Sequence, residues 1–186
     1  MPKGIEGGTL HGVSLSPFVR KIPVWREEGW TLPDSSVICA DLGRRVPSPS
    51  LYPSDARDFA TSLFGEEYAD TRLVESETPV FFQRIVRERV FKERADEEIV
   101  WHHLEEVLPP VLDQMEALFT GRDRANPADL PIGNLVVWSP FVNLDHAGFE
   151  LDASSWPGVA SFLETLGAHP ALKGLVEEER AALGTL

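Results

Sequence analysis

Three prolines fall in the stretch VPSPSLYPSD, residues 46 to 55. Proline fixes φ and has no amide N–H, so neither an α-helix nor a central strand can run through this segment. It divides the chain, and the two parts carry different hydrophobic patterns. Before it, short apolar runs alternate with Gly and Pro. Residues 9–13 (TLHGV) read as a strand after a Gly-rich start. Residues 23–26 and 30–32 read as two strands of a hairpin whose turn, EEG, offers Gly29 for a positive φ. After it, apolar residues recur at helical spacing to residue 186. The division predicts an α+β chain: a small mixed module over 1–50 and an all-α helical domain over 51–186.

Helix signals fill in the second part. Ser54 or Asp55 is placed to cap a helix running to Val74, ESETP (75–79) is expected to interrupt it, and VFFQRIVRERVF resumes it. Residues 96–118 form an amphipathic helix with Ile99, Leu104, Val107, Leu108, Val111, Leu112, Met115 and Leu118 near one stripe. Pro109-Pro110 in its middle predict a kink. NPADLPIGNLVVWSPFVNL has Asn126 in the N-cap position and Pro127 at the first helical position, and its body is apolar nearly all round, which predicts a buried helix. Two further helices, each with Pro near its start, close the chain. In the first part, Asp34 caps a helix over SSVICADLGRR, with Val37, Ile38 and Leu42 at helical spacing.

The charge balance limits partners. Seventeen basic residues against 30 acidic ones give a net charge of −13. Nucleic acids and anionic membranes are bound through basic patches, so neither is an expected partner. Cys39 is the only cysteine, which excludes an internal disulfide framework and fits a reducing compartment. The first residues lack the apolar core of a signal peptide, and no run approaches the roughly 18 apolar residues of a membrane span. A cytoplasmic protein is expected.

Candidate chemistry clusters between residues 14 and 36. Ser16-Pro17 has the form of a helix start, a hydroxyl followed by Pro. Ile22-Pro23 enters a strand, and Asp34-Ser35 opens a helix whose N-terminus favours anions. Taken alone, Ser16 and Asp34-Ser35 are either ordinary caps or ligand-binding groups, and Pro23 is either trans or cis. His102 and Glu106, at i and i+4, read as a solvated face rather than metal ligands, and no metal is expected. Cys39 reads as a small buried side chain. Phe81, Phe82 and Trp101 read as core or as the lining of an apolar pocket.

The order of SPFVRK, KIPVW, DSS, a Pro-rich linker, NPADL and HPALKGL resembles the cytosolic glutathione transferases, most closely bacterial members with a serine at the reactive position. The resemblance implies a thioredoxin-like first module, here truncated, followed by a helical domain, and a homodimer. It implies glutathione as co-substrate and conjugation to a small apolar electrophile as the reaction. Ser16 would be catalytic, with Ser14 a second candidate. A hydroxyl at a helix start stabilises the glutathione thiolate, whose free pKa lies near 8.5. Lys21, Ile22, Pro23, Asp34 and Ser35 would bind glutathione, and Phe81, Phe82 and Trp101 would line the electrophile pocket.

One departure from the family is plain. A parallel crossover needs at least about 10–12 residues, so a helix, a second strand and a second helix, about 35–40 residues, cannot fit between Val13 and Ile22. Either the module is short, its first strand pairing antiparallel with the strand entered at Pro23, or a segment is missing at that junction. A non-catalytic binding or assembly module is the alternative to an enzyme.

Overall fold

The computed structural model describes residues 9–11, 24–48, 50–119 and 130–184. Three short strands form one antiparallel sheet in the order β1 (Thr9–His11), β2 (Val24–Glu27), β3 (Trp30–Leu32). β1 pairs with β2 through Thr9 opposite Arg26, Leu10 opposite Trp25 and His11 opposite Val24. The first strand is therefore the antiparallel neighbour of the second, as expected of a short module, and Val13 lies outside the described residues. β2 pairs with β3 around Glu28-Gly29, with Glu27 opposite Trp30. Gly29 has φ 74°, a conformation that costs glycine nothing.

Helix α1 (Ser35–Arg45) follows the hairpin. Its last residue holds it there: the Arg45 guanidinium pairs with Glu27 on β2 and Asp41 one turn back, and lies 5.4 Å from the Trp30 ring. A cation in the last turn also suits the negative end of the helix. Ile38 and Cys39 are fully buried, Cys39 within the core of the helical part.

From residue 56 onward every regular element is helical, and no strand follows Leu32 among the described residues. α2 spans residues 56–90 as alternating α and π turns: Ala56–Tyr68, Ala69–Leu73, Val74–Phe81 and Phe82–Val90. The interruption expected at ESETP is absent, and Pro79 lies inside the helix. Ser76, Glu77 and Val80 are buried there, so packing holds the turn. Proline cannot serve the carbonyl one turn back, and π turns on either side accommodate the lost bond.

α3 covers residues 97–119, with Asp96 as N-cap, a π segment at His103–Val107 and a regular end at Leu108–Phe119. The π segment immediately precedes Pro109 and Pro110, whose missing amides free the carbonyls of that turn. α4 (Ile132–His146) is the most buried element, with Val136 to Leu144 inside. It does not begin at Asn126, which lies outside the described residues. Pro131 is extended (φ −61°, ψ 145°) and is itself the N-cap. Leu130, as the residue before a proline, is driven away from helical angles. The Ile132 amide donates to the Leu51 carbonyl at 3.0 Å. α5 (Pro157–Gly167) and α6 (Pro170–Leu183) close the bundle, each with Pro in its first turn. Among the described residues no helix is long and apolar enough to cross a membrane.

Candidate functional site

The start of α1 gathers the polar groups of the first part of the chain. Asp34 is extended and its carboxylate accepts the Val37 amide at 3.0 Å, the N-cap bond expected of it. Ser35 follows at 8% exposure. Its hydroxyl makes no hydrogen bond among the described residues, and it sits at the positive end of an eleven-residue helix. A carboxylate ligand placed there would meet a hydroxyl and backbone N–H groups aimed outward.

The next residue reaches into the bundle. Ser36 Oγ donates to Glu66 Oε1 at 2.6 Å, and Tyr52 Oη donates to Glu66 Oε2 at 3.2 Å. Glu66 is 1% exposed. A buried carboxylate is costly unless its oxygens accept hydrogen bonds, and here each takes one hydroxyl. Burial first, then the charge of Glu66, raises the Tyr52 phenol above its ordinary value, so it stays protonated and donating. The bridge joins α1, the proline-rich segment and α2.

Of the other sequence-derived residues, Ser14, Ser16, Lys21, Ile22 and Pro23 lie outside the described residues. Phe81 packs against the core, whereas Phe82 and Trp101 are exposed. Phe82 meets Phe91 edge to face at 6.3 Å. None of the three lines either of two clefts in the helical part. One, of about 610 Å³, opens between α2 and α4 beside Arg57, Ser62, Tyr68 and Asn134. The other, of about 860 Å³, lies along α4 and α6 over Trp138, Phe141 and Val176. His102 and Glu106 form an exposed pair at 3.0 Å, a solvated face. Among the described residues no group of three or more His, Cys, Asp or Glu side chains could hold a metal. Sequence reasoning missed Ser36, Tyr52 and Glu66. The doubled serine after Asp34 was a signal, but its partner lies 30 residues away.

No protein-family model and no curated protein matches the chain. Solved structures do. A glutathione S-transferase from Rhodospirillum rubrum aligns with TM-score 0.73 at 17% identity, covering 90% of this chain and 91% of that one. The chain has the glutathione transferase fold. A glutathione S-transferase from Methylobacterium radiotolerans, in complex with glutathione sulfonate, aligns with TM-score 0.67 at 18% identity over 91% of this chain and 94% of that one. A glutathione transferase family member from Pseudomonas fluorescens with bound S-(propanoic acid)-glutathione gives 0.66 at 20% identity over 90% and 98%. Within the glutathione transferase fold, the three-stranded sheet and α1 form the shortened thioredoxin-like part and helices α2 to α6 the helical part.

Proposed function

We propose that this chain is a cytoplasmic glutathione transferase that binds glutathione at the start of α1 and conjugates it to a small apolar electrophile. The observation that carries this reading is Ser35, buried beside the Asp34 cap at a helix N-terminus in a glutathione transferase fold. Two of the similar structures hold glutathione derivatives.

In this reading residues 1–50 bind glutathione and residues 51–186 form the helical domain. Ser35 and the helix N-terminus take the γ-glutamyl carboxylate, and Asp34 takes the amine. Lys21 and Ile22, before Pro23, hold the rest of the tripeptide. Ser16 donates to the sulfur and lowers its pKa, each unit being worth about 1.36 kcal/mol. Phe81, Phe82 and Trp101 supply the electrophile surface, and two copies of the chain form the working unit.

Calorimetric titration with glutathione, followed by conjugation assays of the wild type and Ser16→Ala, tests this. Binding with turnover that falls in Ser16→Ala is expected; no binding overturns it. The length of the chain favours a second reading, a binding module without turnover, because the stretch between Val13 and Ile22 is too short for the intervening helices that would orient Ser16. Binding with equal, negligible turnover in both proteins would establish that one.

A further inference from the structure

We propose that Glu66 is a positioning residue for the glutathione site: with Ser36 and Tyr52 it ties the start of α1 to the helical bundle and fixes where Ser35 points. This inference rests on the glutathione reading above. Three observations carry it. Glu66 is buried, so it acts only through its partners. Its two oxygens are each engaged, one by the residue next to Ser35 and one by Tyr52. The opposite end of α1 is already held by Arg45, which Asp41 steadies from one turn back, to Glu27 on β2, so the helix is anchored to the hairpin at one end and to the bundle at the other.

The consequence follows from helix geometry. Ser35 and Ser36 are successive residues and point about 100° apart, since a turn holds about 3.6 residues. Holding Ser36 against Glu66 therefore fixes the rotation of the first turn, and with it the direction of Ser35. Loss of the bridge frees the first turn, which is then restrained only by the Asp34 cap on Val37. The effect belongs to binding rather than chemistry, because the bridge acts on the γ-glutamyl end of the ligand and the sulfur is assigned to Ser16.

The test uses the full chain with Ser36→Ala, Tyr52→Phe, Glu66→Gln and Glu66→Ala. Two measurements are made: amide exchange over α1 without ligand, and glutathione affinity together with kcat and KM. In Ser36→Ala the amides of Val37 and Ile38, which are bonded to Asp34, should exchange faster, and glutathione affinity should fall about tenfold, the loss of one hydrogen bond to a charged group. Tyr52→Phe should show the same two changes, each smaller. The kcat at saturating glutathione should change by less than about threefold. Glu66→Gln keeps an acceptor for Ser36 and places an amide against the Tyr52 oxygen, so it should retain most of the affinity that Glu66→Ala loses. Exchange over α1 unchanged in Ser36→Ala overturns the bridge by itself, as does Glu66→Gln binding as weakly as Glu66→Ala. A wild type that binds no glutathione overturns the functional reading and the ligand role of Glu66 with it, while faster exchange in the variants would still identify the bridge as a structural tie.

Discussion

The carboxylate of Glu116 on α3 accepts the backbone amides of both Gly158 and Val159 at 2.9 Å, capping α5 from a neighbouring helix. The N-cap residue of α5, Trp156, makes no side-chain cap bond, and its indole donates to Asp113 at 2.8 Å instead. Replacing Glu116 with Ala should cost about 1–2 kcal/mol, the value of a lost N-cap. Gly158→Ala should also destabilise, because its Cβ would lie 2.8 Å from Glu116 Oε1. Denaturant unfolding of both variants checks this, and a midpoint equal to wild type in Glu116→Ala would refute the capping role.

Gly133 marks a close approach of α4 to α2. A Cβ there would overlap the Ser62 hydroxyl and lie 3.1 Å from the Ser62 carbonyl oxygen. Gly133→Ala should destabilise by about 1–3 kcal/mol, the usual cost of overpacking. Adding Ser62→Gly should restore only part of the loss, since the backbone oxygen stays. Full restoration, measured by denaturant unfolding, would show that the hydroxyl alone sets the spacing.

His103 gives the chain a pH dependence of known sign. Its Nδ1 is buried without a hydrogen-bond partner among the described residues. Burial first, and then the neighbouring His102, lowers its pKa below 6.5, against a backbone hydrogen bond at Ser76 that raises it. With the folded pKa depressed, the unfolded chain takes up the proton first on acidification. Stability is therefore unaffected by this group above the unfolded pKa and falls as pH drops below about 6.5. His103→Gln should flatten the melting temperature between about pH 7 and 5 relative to wild type. Parallel curves for the two proteins would rule His103 out as the source.

α2 carries Phe59, Leu63 and Phe64 exposed along its first turns. This helix is the expected dimer contact, and a two-fold interface of that kind buries more than about 1,000 Å². Sedimentation should give about twice the mass of one chain, with Phe64→Glu shifting the protein to monomer. A wild type that sediments as one chain at all concentrations would exclude the dimer.

How much of this was legible in the sequence depends on the range over which each feature is decided. Asp34 as a cap, the hairpin at Gly29, the buried body of α4 and the proline starts of α5 and α6 could all be read from the residues, because caps, turns and periodicity act within a few positions. The antiparallel pairing of β1 with β2 was the arrangement expected of a short module. The start of α4 was also written locally, in Leu130-Pro131, but the cap signal at Asn126 obscured it. The tertiary structure alone decided the rest. Pro79 stays inside α2 because Ser76, Glu77 and Val80 are buried around it, and burial outweighs one lost backbone bond. Glu66 reads as one more acid on an amphipathic helix, and only the packing of α2 against α1 turns it into the acceptor for Ser36 and Tyr52. Contacts between residues far apart in the chain depend on where whole helices come to rest, and the sequence near either partner does not specify that.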